Sequence, residues 1–144
     1  MPFARITLKA LIEKEAERPP QSLGEHIRRR RRELGISQRQ ATKDLGVNDW
    51  TVLNWEKGRT APPIGAIPAI LLWLGHDPFP RPRTLQERML AARRAAGWTI
   101  GEAARQLGVN AATWGDWERT GRVPWRHYQR RLEEFLDDVL KMVS

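Results

Sequence analysis

The sequence contains no cysteine, which removes disulfides, thiolate metal ligands and thiol nucleophiles from consideration at once. Its three histidines, His26, His76 and His127, are far apart and lack the spacing of metal ligands, so neither a metal nor a cofactor is expected. The longest apolar run, residues 66–74, has about half of the ~20 residues that a membrane-spanning helix needs. The first residues also lack the apolar core and cleavage site of a signal peptide. These absences fit a reducing cytoplasm.

Positive charge dominates the polar residues. The chain carries 25 Lys and Arg against 17 Asp and Glu, a formal net charge of +8. Such a balance favours a polyanionic partner, most commonly nucleic acid and more rarely an anionic membrane surface. A solvated basic surface without any partner is a third interpretation. Charge therefore favours nucleic acid and leaves the alternatives open.

The chain repeats itself. Residues 22–62 align with residues 84–124 without a gap at a constant offset of 62, and 14 of the 41 aligned positions are identical. Chance would give roughly three identities for ordinary amino-acid usage. One structural unit therefore occurs twice. The shared positions include Leu23 and Leu85, Gly35 and Gly97, Leu45 and Leu107, and Trp55 and Trp117.

Each copy has the start and stop signals of three short helices. Ser22 and Thr84 are N-cap residue types with a Glu three positions later, which is the spacing of a capping box. Gly35 and Gly97 stand where a left-handed residue would end the first helix. A Ser or Thr then begins a second helix, which ends at a Gly-Val-Asn turn before the third. Two short helices joined by a glycine-bearing turn are typical of a helix-turn-helix unit.

Apolar spacing indicates which side chains form the cores. Leu23, Ile27 and Leu34 recur at helical spacing along the first helix of the first copy. Trp50 and Trp98 are expected to be exposed. Four other tryptophans are interpreted as core residues, namely Trp55, Trp73, Trp114 and Trp117.

These signals predict an all-α fold of two tandem units and a C-terminal amphipathic helix. Residues 1–21 form an N-terminal segment that could be mobile. The first unit spans residues 22–74, and a short helix within residues 62–74 closes its core. A stiff, proline-rich linker, residues 75–83, leads to the second unit, residues 84–144. In the final helix, apolar residues recur every three or four positions at Trp125, Tyr128, Leu132, Leu136, Val139 and Val143.

Several further motif elements occur in order in the first copy, and the second copy repeats them in part. They are a basic first helix, a Gly-x-Ser-Gln start to the second, Leu-Gly-Val at the turn and Trp-Glu-x-Gly after the third. The best-matching stretch, residues 27–62, reads IRRRRRELGISQRQATKDLGVNDWTVLNWEKGRTAP, and the second copy matches through AARRAAGWTIGEAARQLGVNAATWGDWERTGRVP. The pattern resembles the phage Cro/cI repressor family, also called Xre-type regulators, over residues 22–139. The resemblance implies lambda-repressor-like units in a cytoplasmic protein of a bacterium or phage.

The resemblance also implies base contacts. In that family the third helix lies in the major groove and contacts base edges. The groove-facing positions of the first unit are Asp49, Trp50 and Asn54. The amide of Asn54 can bond adenine twice, Asp49 can accept from cytosine, and Trp50 can pack on a thymine methyl. Trp50 has an equal second interpretation, as an exposed aromatic used in a protein contact.

Phosphate contacts are implied at the start of the second helix, where Gln38 follows the capping serine. Arg39 and Lys43 on the same helix are further candidates, as are Arg28 and Arg29 on the first helix. Successive helical residues are about 100° apart, so the arginine run 28–32 cannot all face DNA. Plain solvation is the alternative role for the arginines of this run.

The resemblance further pairs an Arg of the first helix with the Glu that ends the third. Both copies hold such residues 25 positions apart, at Arg31 and Glu56 and at Arg93 and Glu118. We interpret them as structural ion pairs.

The second copy departs from the pattern at the contact positions. Ile100 stands where the first copy has Gln38, and Ala111, Ala112 and Asp116 occupy the groove positions. Alanine can touch only a thymine methyl, and aspartate is repelled by phosphate. This unit either has become a spacer or partner surface, or binds DNA weakly through Arg105, Arg119 and Arg122.

Two functions compete. The first is a sequence-specific DNA-binding transcriptional regulator, a repressor, that binds double-stranded DNA mainly through the first unit. The second is an antitoxin-like or phage-derived protein-interaction module of the same fold, which exposed Trp50 and Trp98 would suit. A homodimer or another protein partner stays open for either, and no membrane partner is expected. An enzyme is not expected, because the sequence has no nucleophile–base–acid constellation and no glycine-rich phosphate loop.

Overall fold

The computed structural model describes residues 19–142 of the chain. Within that range eight α-helices and one 3-10 helix occur and no strand does, which confirms the all-α class. The 3-10 helix, Ile64–Ala66, precedes the fourth α-helix. Residues 1–18 of the predicted N-terminal segment lie outside the described residues, as does Val143. The α-helices are α1 (Leu23–Leu34), α2 (Gln38–Leu45), α3 (Thr51–Glu56), α4 (Ile67–Leu74), α5 (Leu85–Ala96), α6 (Ile100–Leu107), α7 (Ala111–Thr120) and α8 (Arg126–Met142).

Local hydrogen bonds explain where the helices begin and end. Thr84 Oγ1 accepts from the Glu87 N–H at 3.1 Å, and the Glu87 carboxylate accepts in return from the Thr84 N–H, which completes a capping box. Ser22 Oγ accepts from the Glu25 N–H at 3.1 Å before α1. Gly35 follows α1 with a φ of 66°, a left-handed conformation that disfavours any other residue. As a result α1 and α2 recur as α5 and α6 at the same offset of 62 residues.

The chain divides into two compact units between Ala61 and Pro62. The first contains α1, α2 and α3, and α3 contacts both of the other helices. Leu34, which the sequence analysis places on the apolar face, is exposed because α1 ends there and the chain turns at Gly35. The buried core side chains of this unit are Ile27, Ala41, Leu45, Val52 and Trp55.

Residues 62–74 group with the second compact unit, whereas the sequence pattern predicts them in the first. Both the 3-10 helix and α4 contact α5. A Cβ on Gly97, the residue after α5, would stand 3.0 Å from Pro68 Cγ, so glycine permits this close packing. Contacts between segments so far apart in the chain leave no local sequence signal. The compact division therefore differs from the predicted boundary after Leu74.

The proline-rich stretch, residues 75–83, is attached to the second unit by an aromatic contact. The guanidinium of Arg94 on α5 lies over the Phe79 ring, with Cζ 3.9 Å from the ring centroid. A cation so placed is attracted by the negative face of the ring. This stretch is therefore packed at Phe79 as well as stiffened by its prolines.

The last helix, α8, closes the core of the second unit. It contacts α5, and its Leu132, Leu136 and Val139 are buried. At the surface, Arg88 of α5 donates to Glu133 at 2.8 Å and to Asp137 at 2.7 Å. The buried residues that pack with the apolar face of α8 are Met89, Ala92, Ala103, Ala104, Leu107, Trp114, Trp117 and Val123.

Trp98 is half-buried, which corrects the expectation that it is exposed. Its ring stacks on Phe135 of α8, with centroids 5.9 Å apart and an interplanar angle of 19°. Trp73 is also half-buried rather than fully within a core. Trp98 thus gives no support to a protein-interaction surface.

Gly24 marks a very close approach of α1 to α3. A Cβ at this position would stand 1.9 Å from the backbone oxygen of Trp55, far inside any real contact. Because the obstacle is backbone rather than a flexible side chain, the two helices would have to separate to admit it.

Gly24→Ala is therefore expected to destabilise the protein by about 1–3 kcal/mol, the usual cost of overpacking a close contact. Gly101→Ala is the matched control, because Gly101 is also helical and its Cβ would meet only the Thr99 hydroxyl, at 4.0 Å. There alanine should stabilise by about 0.5–1 kcal/mol. Urea unfolding measures both values, and equal stabilities of the two variants would contradict the close approach.

Candidate nucleic-acid interface

A buried ion pair holds α3 against α1 in the first unit. Arg31 Nε donates to Glu56 Oε2 and Arg31 Nη2 donates to Glu56 Oε1, both at 2.9 Å. Arg31 Nη1 also donates to the carbonyl oxygen of Ile36 at 3.2 Å. The Glu56 side chain is only 2% exposed. Two parallel bonds fix orientation as well as distance, so this pair sets where α3 lies.

Arg93 and Glu118 form the same arrangement in the second unit. Arg93 Nε donates to Glu118 Oε2 at 2.8 Å and Nη2 donates to Oε1 at 2.5 Å. Trp114 Nε1 also donates to Glu118 Oε2, at 2.7 Å. Burial raises the pKa of Glu118, but the hydrogen bonds from Arg93 and Trp114 and the nearby positive charges outweigh it and leave the pKa below its usual value. The carboxylate is therefore ionised at neutral pH.

The second side chain that donates to the carboxylate differs between the units. In the first unit Gln38 Nε2 donates to Glu56 Oε1 over 3.4 Å. The second unit has Ile100 in place of Gln38, and it has Trp114 in place of Val52. The indole thus supplies the donor that isoleucine lacks. The Gln38 amide, in contrast, keeps a second N–H and its oxygen for another partner.

A groove opens between α2 and α3 of the first unit. Four predicted contact residues line its cavity of about 350 Å³, namely Gln38, Arg39, Asp49 and Trp50. Thr42 and Leu53 complete the lining and were not singled out from the sequence. The spacing of Leu53, three positions after Trp50, is the signal that could have placed it on this face.

Asp49 and Trp50 lie in the turn before α3, which corrects their assignment to the third helix. The Thr51 N–H donates to the backbone oxygen of Asn48 at 3.1 Å and closes this turn. The helix therefore begins at Thr51, and the side chains of Asp49 and Trp50 project from non-helical backbone.

The matching helix of the second unit begins two positions earlier in the repeat. There Asn110 Oδ1 accepts from the Thr113 N–H at 2.8 Å, and α7 begins at Ala111. Both units have Asn and Thr at these positions, so the difference lies in the two residues between them. Alanine has the highest helix propensity, whereas Asp and Trp are weaker helix formers.

Trp50 combines exposure with an unfavourable backbone conformation. Its φ is 71°, and every other positive φ within residues 19–142 belongs to a glycine. The left-handed region costs a residue with a side chain roughly 1–2 kcal/mol. The Trp50 residue is 73% exposed. This aromatic side chain is therefore exposed at the groove rather than packed in the core.

The remaining predicted contacts do not line the groove. Lys43 is exposed on α2, and Asn54 is half-buried on α3. Arg28 and Arg29 lie on α1, where Arg29 Nε is 3.5 Å from Glu33 Oε1 in an exposed pair. The structure thus gathers some of the predicted contacts at the α2–α3 groove and leaves those on α1 outside it.

The matching surface of the second unit offers fewer contact groups. The alanine pair that opens α7 is exposed, and so is Ile100. Asp116 accepts a hydrogen bond from Arg119, so the two charges offset each other. Arg105 and Arg122, the other predicted weak contacts, are exposed.

Residues 22–82 match a family model described as a helix-turn-helix domain. This part of the chain is therefore similar to helix-turn-helix domains, and the likeness suggests a DNA-binding regulator. Comparison with curated proteins and with solved structures gives no match.

None of the helices within residues 19–142 has both the length and the apolarity that crossing a bilayer requires. The same stretch brings together no group of three or more His, Cys, Asp or Glu side chains able to hold a metal ion.

Glu56→Gln is expected to lower the free energy of unfolding by ~3–5 kcal/mol, because it leaves the shielded Arg31 guanidinium without its counter-charge. Glu33→Gln is the control, since Glu33 is near Arg29 and Arg30 in exposed pairs. That change should alter stability by less than about 1 kcal/mol. If denaturant unfolding gives both variants the same stability, the ion pair does not hold α3 in place.

At position 50, glycine is expected to give a protein more stable than alanine by about 1 kcal/mol, because only glycine adopts positive φ without strain. The same two substitutions at Trp125 are the control, since that residue is exposed and its φ is not positive. At position 125 the glycine variant should be no more stable than the alanine variant. Thermal unfolding of the four variants makes the comparison, and alanine equal to glycine at position 50 would rule out the left-handed conformation.

Proposed function

We propose that the protein is a sequence-specific transcriptional regulator, a repressor, that reads the major groove of double-stranded DNA mainly with its first unit. The observation that carries the proposal is the groove where Gln38, Arg39, Asp49 and Trp50 converge. The helix-turn-helix domain match supports it, as does the resemblance of residues 27–62 to the Cro/cI family. Such a regulator would work in the cytoplasm of a bacterium.

Charge supports the first unit as the main DNA-binding surface. Residues 22–60 hold nine Lys or Arg and five Asp or Glu, a net of +4, whereas residues 84–122 hold six and four, a net of +2. Arg39 and Lys43 are exposed on α2, and Gln38 begins that helix. Side chains of these types bind phosphate oxygens and so fix a protein on the duplex without reading its sequence.

Base contacts are assigned to the turn before α3 and to α3 itself. Trp50 and Leu53 are apolar groups at the groove that suit a thymine methyl. Asn54 suits adenine, and the Asp49 carboxylate suits the amino group of cytosine. Because Trp50 projects from a turn, its reach toward a base depends on its backbone conformation as well as on its side chain.

The second unit is proposed as a spacer or partner surface with weak DNA contacts at most. It lacks the glutamine, since Ile100 replaces Gln38, and Gly101 stands where the first unit has Arg39. Its remaining arginine at the end of α7, Arg119, is already bonded to Asp116. We therefore expect one dominant half-site per chain, with a symmetric operator requiring two chains.

The alternative is an antitoxin-like or phage-derived protein-interaction module with little specific DNA binding. The exposed Trp50 favours it, because large aromatic side chains are enriched at protein interfaces. Salt-dependent binding of duplexes selected from random DNA, with a preferred sequence, separates the two functions. A protein that enriches no sequence would support the alternative.

Lys43→Ala is expected to weaken binding to every duplex about equally and to flatten the dependence of log affinity on log salt by about 0.9 unit, the value of one phosphate contact. Arg105→Ala is the matched control, because Arg105 holds the same position in the second repeat and is also exposed. It should leave the slope nearly unchanged. Fluorescence anisotropy at four salt concentrations measures both slopes, and equal losses would place both units on DNA.

Asn54→Ala is expected to cost ~1–3 kcal/mol at one or two base pairs of the preferred site, the value of a good bidentate base contact. Asp116→Ala, the matched change in the second repeat, should cost little or strengthen binding by removing a negative charge. Affinities for the selected duplex and its single-base variants test this. The assignment fails if Asp116→Ala, rather than Asn54→Ala, changes the base preference.

A further inference from the structure

The charges along α8 are segregated by sign over most of its length, and Lys141 is the basic residue of its last turn. Arg126 and Arg130 lie in its N-terminal half and Glu134 and Asp138 in its C-terminal half, and no acidic residue occupies the first turn. A helix is stabilised by the opposite order, with acidic residues at its N-terminus and basic residues at its C-terminus. Of these four residues only Arg126 lies in a terminal turn, where the dipole acts, so its charge alone is unfavourably placed.

These four side chains share one exposed face of α8. They are spaced four positions apart, which places them along one stripe of an α-helix, and all four are exposed. The stripe lies opposite Leu132 and Leu136, which face the core. We call these four residues the α8 stripe.

The neighbouring charges on α8 already have partners, and those of the α8 stripe do not. Glu133 and Asp137 accept from Arg88, and Arg131 donates to the carbonyl oxygen of Leu107. Within residues 19–142 no ion pair or side-chain hydrogen bond involves a member of the α8 stripe. Two cations and two anions in this order thus remain available to an external partner.

We propose that the α8 stripe binds the α8 stripe of a second copy of this chain in an antiparallel arrangement. With the two-fold axis level with Leu132, Arg126 faces the partner's Asp138 and Arg130 faces the partner's Glu134. Two-fold symmetry repeats both contacts, which gives four intermolecular ion pairs. The antiparallel alignment also sets the two helix dipoles against each other favourably.

A second copy offers opposite charges to both the basic and the acidic half of the α8 stripe, whereas a polyanion would be attracted only by the basic half. Nucleic acid would be attracted by Arg126 and Arg130 but repelled by Glu134 and Asp138 on the same face. The proposal does not rest on DNA binding, because it concerns residues of the second unit alone.

Exposed apolar side chains at the two ends of α8 support the same partner. Trp125 is 60% exposed, and its ring stacks on His127 beside the stripe, with centroids 6.4 Å apart. Met142 is 86% exposed at the other end. Antiparallel pairing brings each Trp125 within one helical turn of the partner's Met142, and a thioether packs well against an aromatic ring.

The size of the surface predicts a weak, salt-sensitive dimer. A helix of 17 residues is about 25 Å long. One such helix per chain covers less than the ~800 Å² per partner of a standard stable interface. Exposed ion pairs are individually weak and are screened by salt. We therefore expect a weak, transient dimer that forms at low salt and dissociates as the salt concentration rises.

The test compares two charge-reversal variants of the full chain by sedimentation equilibrium without DNA. Arg126→Glu/Arg130→Glu makes the stripe wholly negative, and Glu134→Arg/Asp138→Arg makes it wholly positive. Each variant alone should dimerise at least tenfold more weakly than the parent. An equimolar mixture should recover the parent's association as a heterodimer, because every facing pair is then opposite in charge. Recovery also shows that both variants are folded.

Three results would overturn the proposal. The parent could remain monomeric at millimolar concentration in low salt, or the variants could self-associate like the parent. The mixture could also fail to recover association while circular dichroism shows both variants to be helical. A nucleic-acid surface predicts this third pattern together with loss of duplex binding in the negative variant only. Because association is measured without DNA, failure here is distinct from failure of the proposed regulator function.

Discussion

The buried bond between Arg31 and Glu56 is the constraint on which the first unit depends. With six residues, α3 is far too short to be stable on its own, so its position must come from tertiary contacts. The carboxylate lies at the end of α3, bonds α1 through Arg31 and bonds the start of α2 through Gln38. One buried charge therefore joins all three helices and fixes the separation of α2 and α3, between which the groove lies.

The matching ion pair of the second unit, between Arg93 and Glu118, lies beside a surface with different side chains. Glu118 is bonded by Arg93 and by the Trp114 indole, so this unit keeps its three-helix arrangement without a glutamine at the start of α6. Because the Trp114 indole donates to the carboxylate, position 100 does not need a hydrogen-bond donor, and it carries isoleucine. In the first unit Gln38 donates to the buried carboxylate, and we propose that the rest of its amide also binds a DNA phosphate.

Helix bounds and caps could be predicted from the sequence because each depends on residues within one turn, as at Thr84 and Glu87. The start of α3 could not, because both repeats carry the same capping asparagine and the outcome depends on the weak preferences of Asp49 and Trp50. The burial of Trp98 depends on Phe135 in a distant helix. Of the candidate site, several of the residues that line the groove could be predicted, whereas the groove itself and the position of Leu53 in it follow only from how the helices pack.

We propose that one unit of each chain reads DNA. A hydroxyl-radical footprint on a duplex selected from random sequence, with the number of bound chains measured by sedimentation, tests it most directly. The account predicts one protected half-site for each bound chain, so that two half-sites appear only when two chains are bound. Two equally protected half-sites about one helical turn apart under a single chain would contradict it.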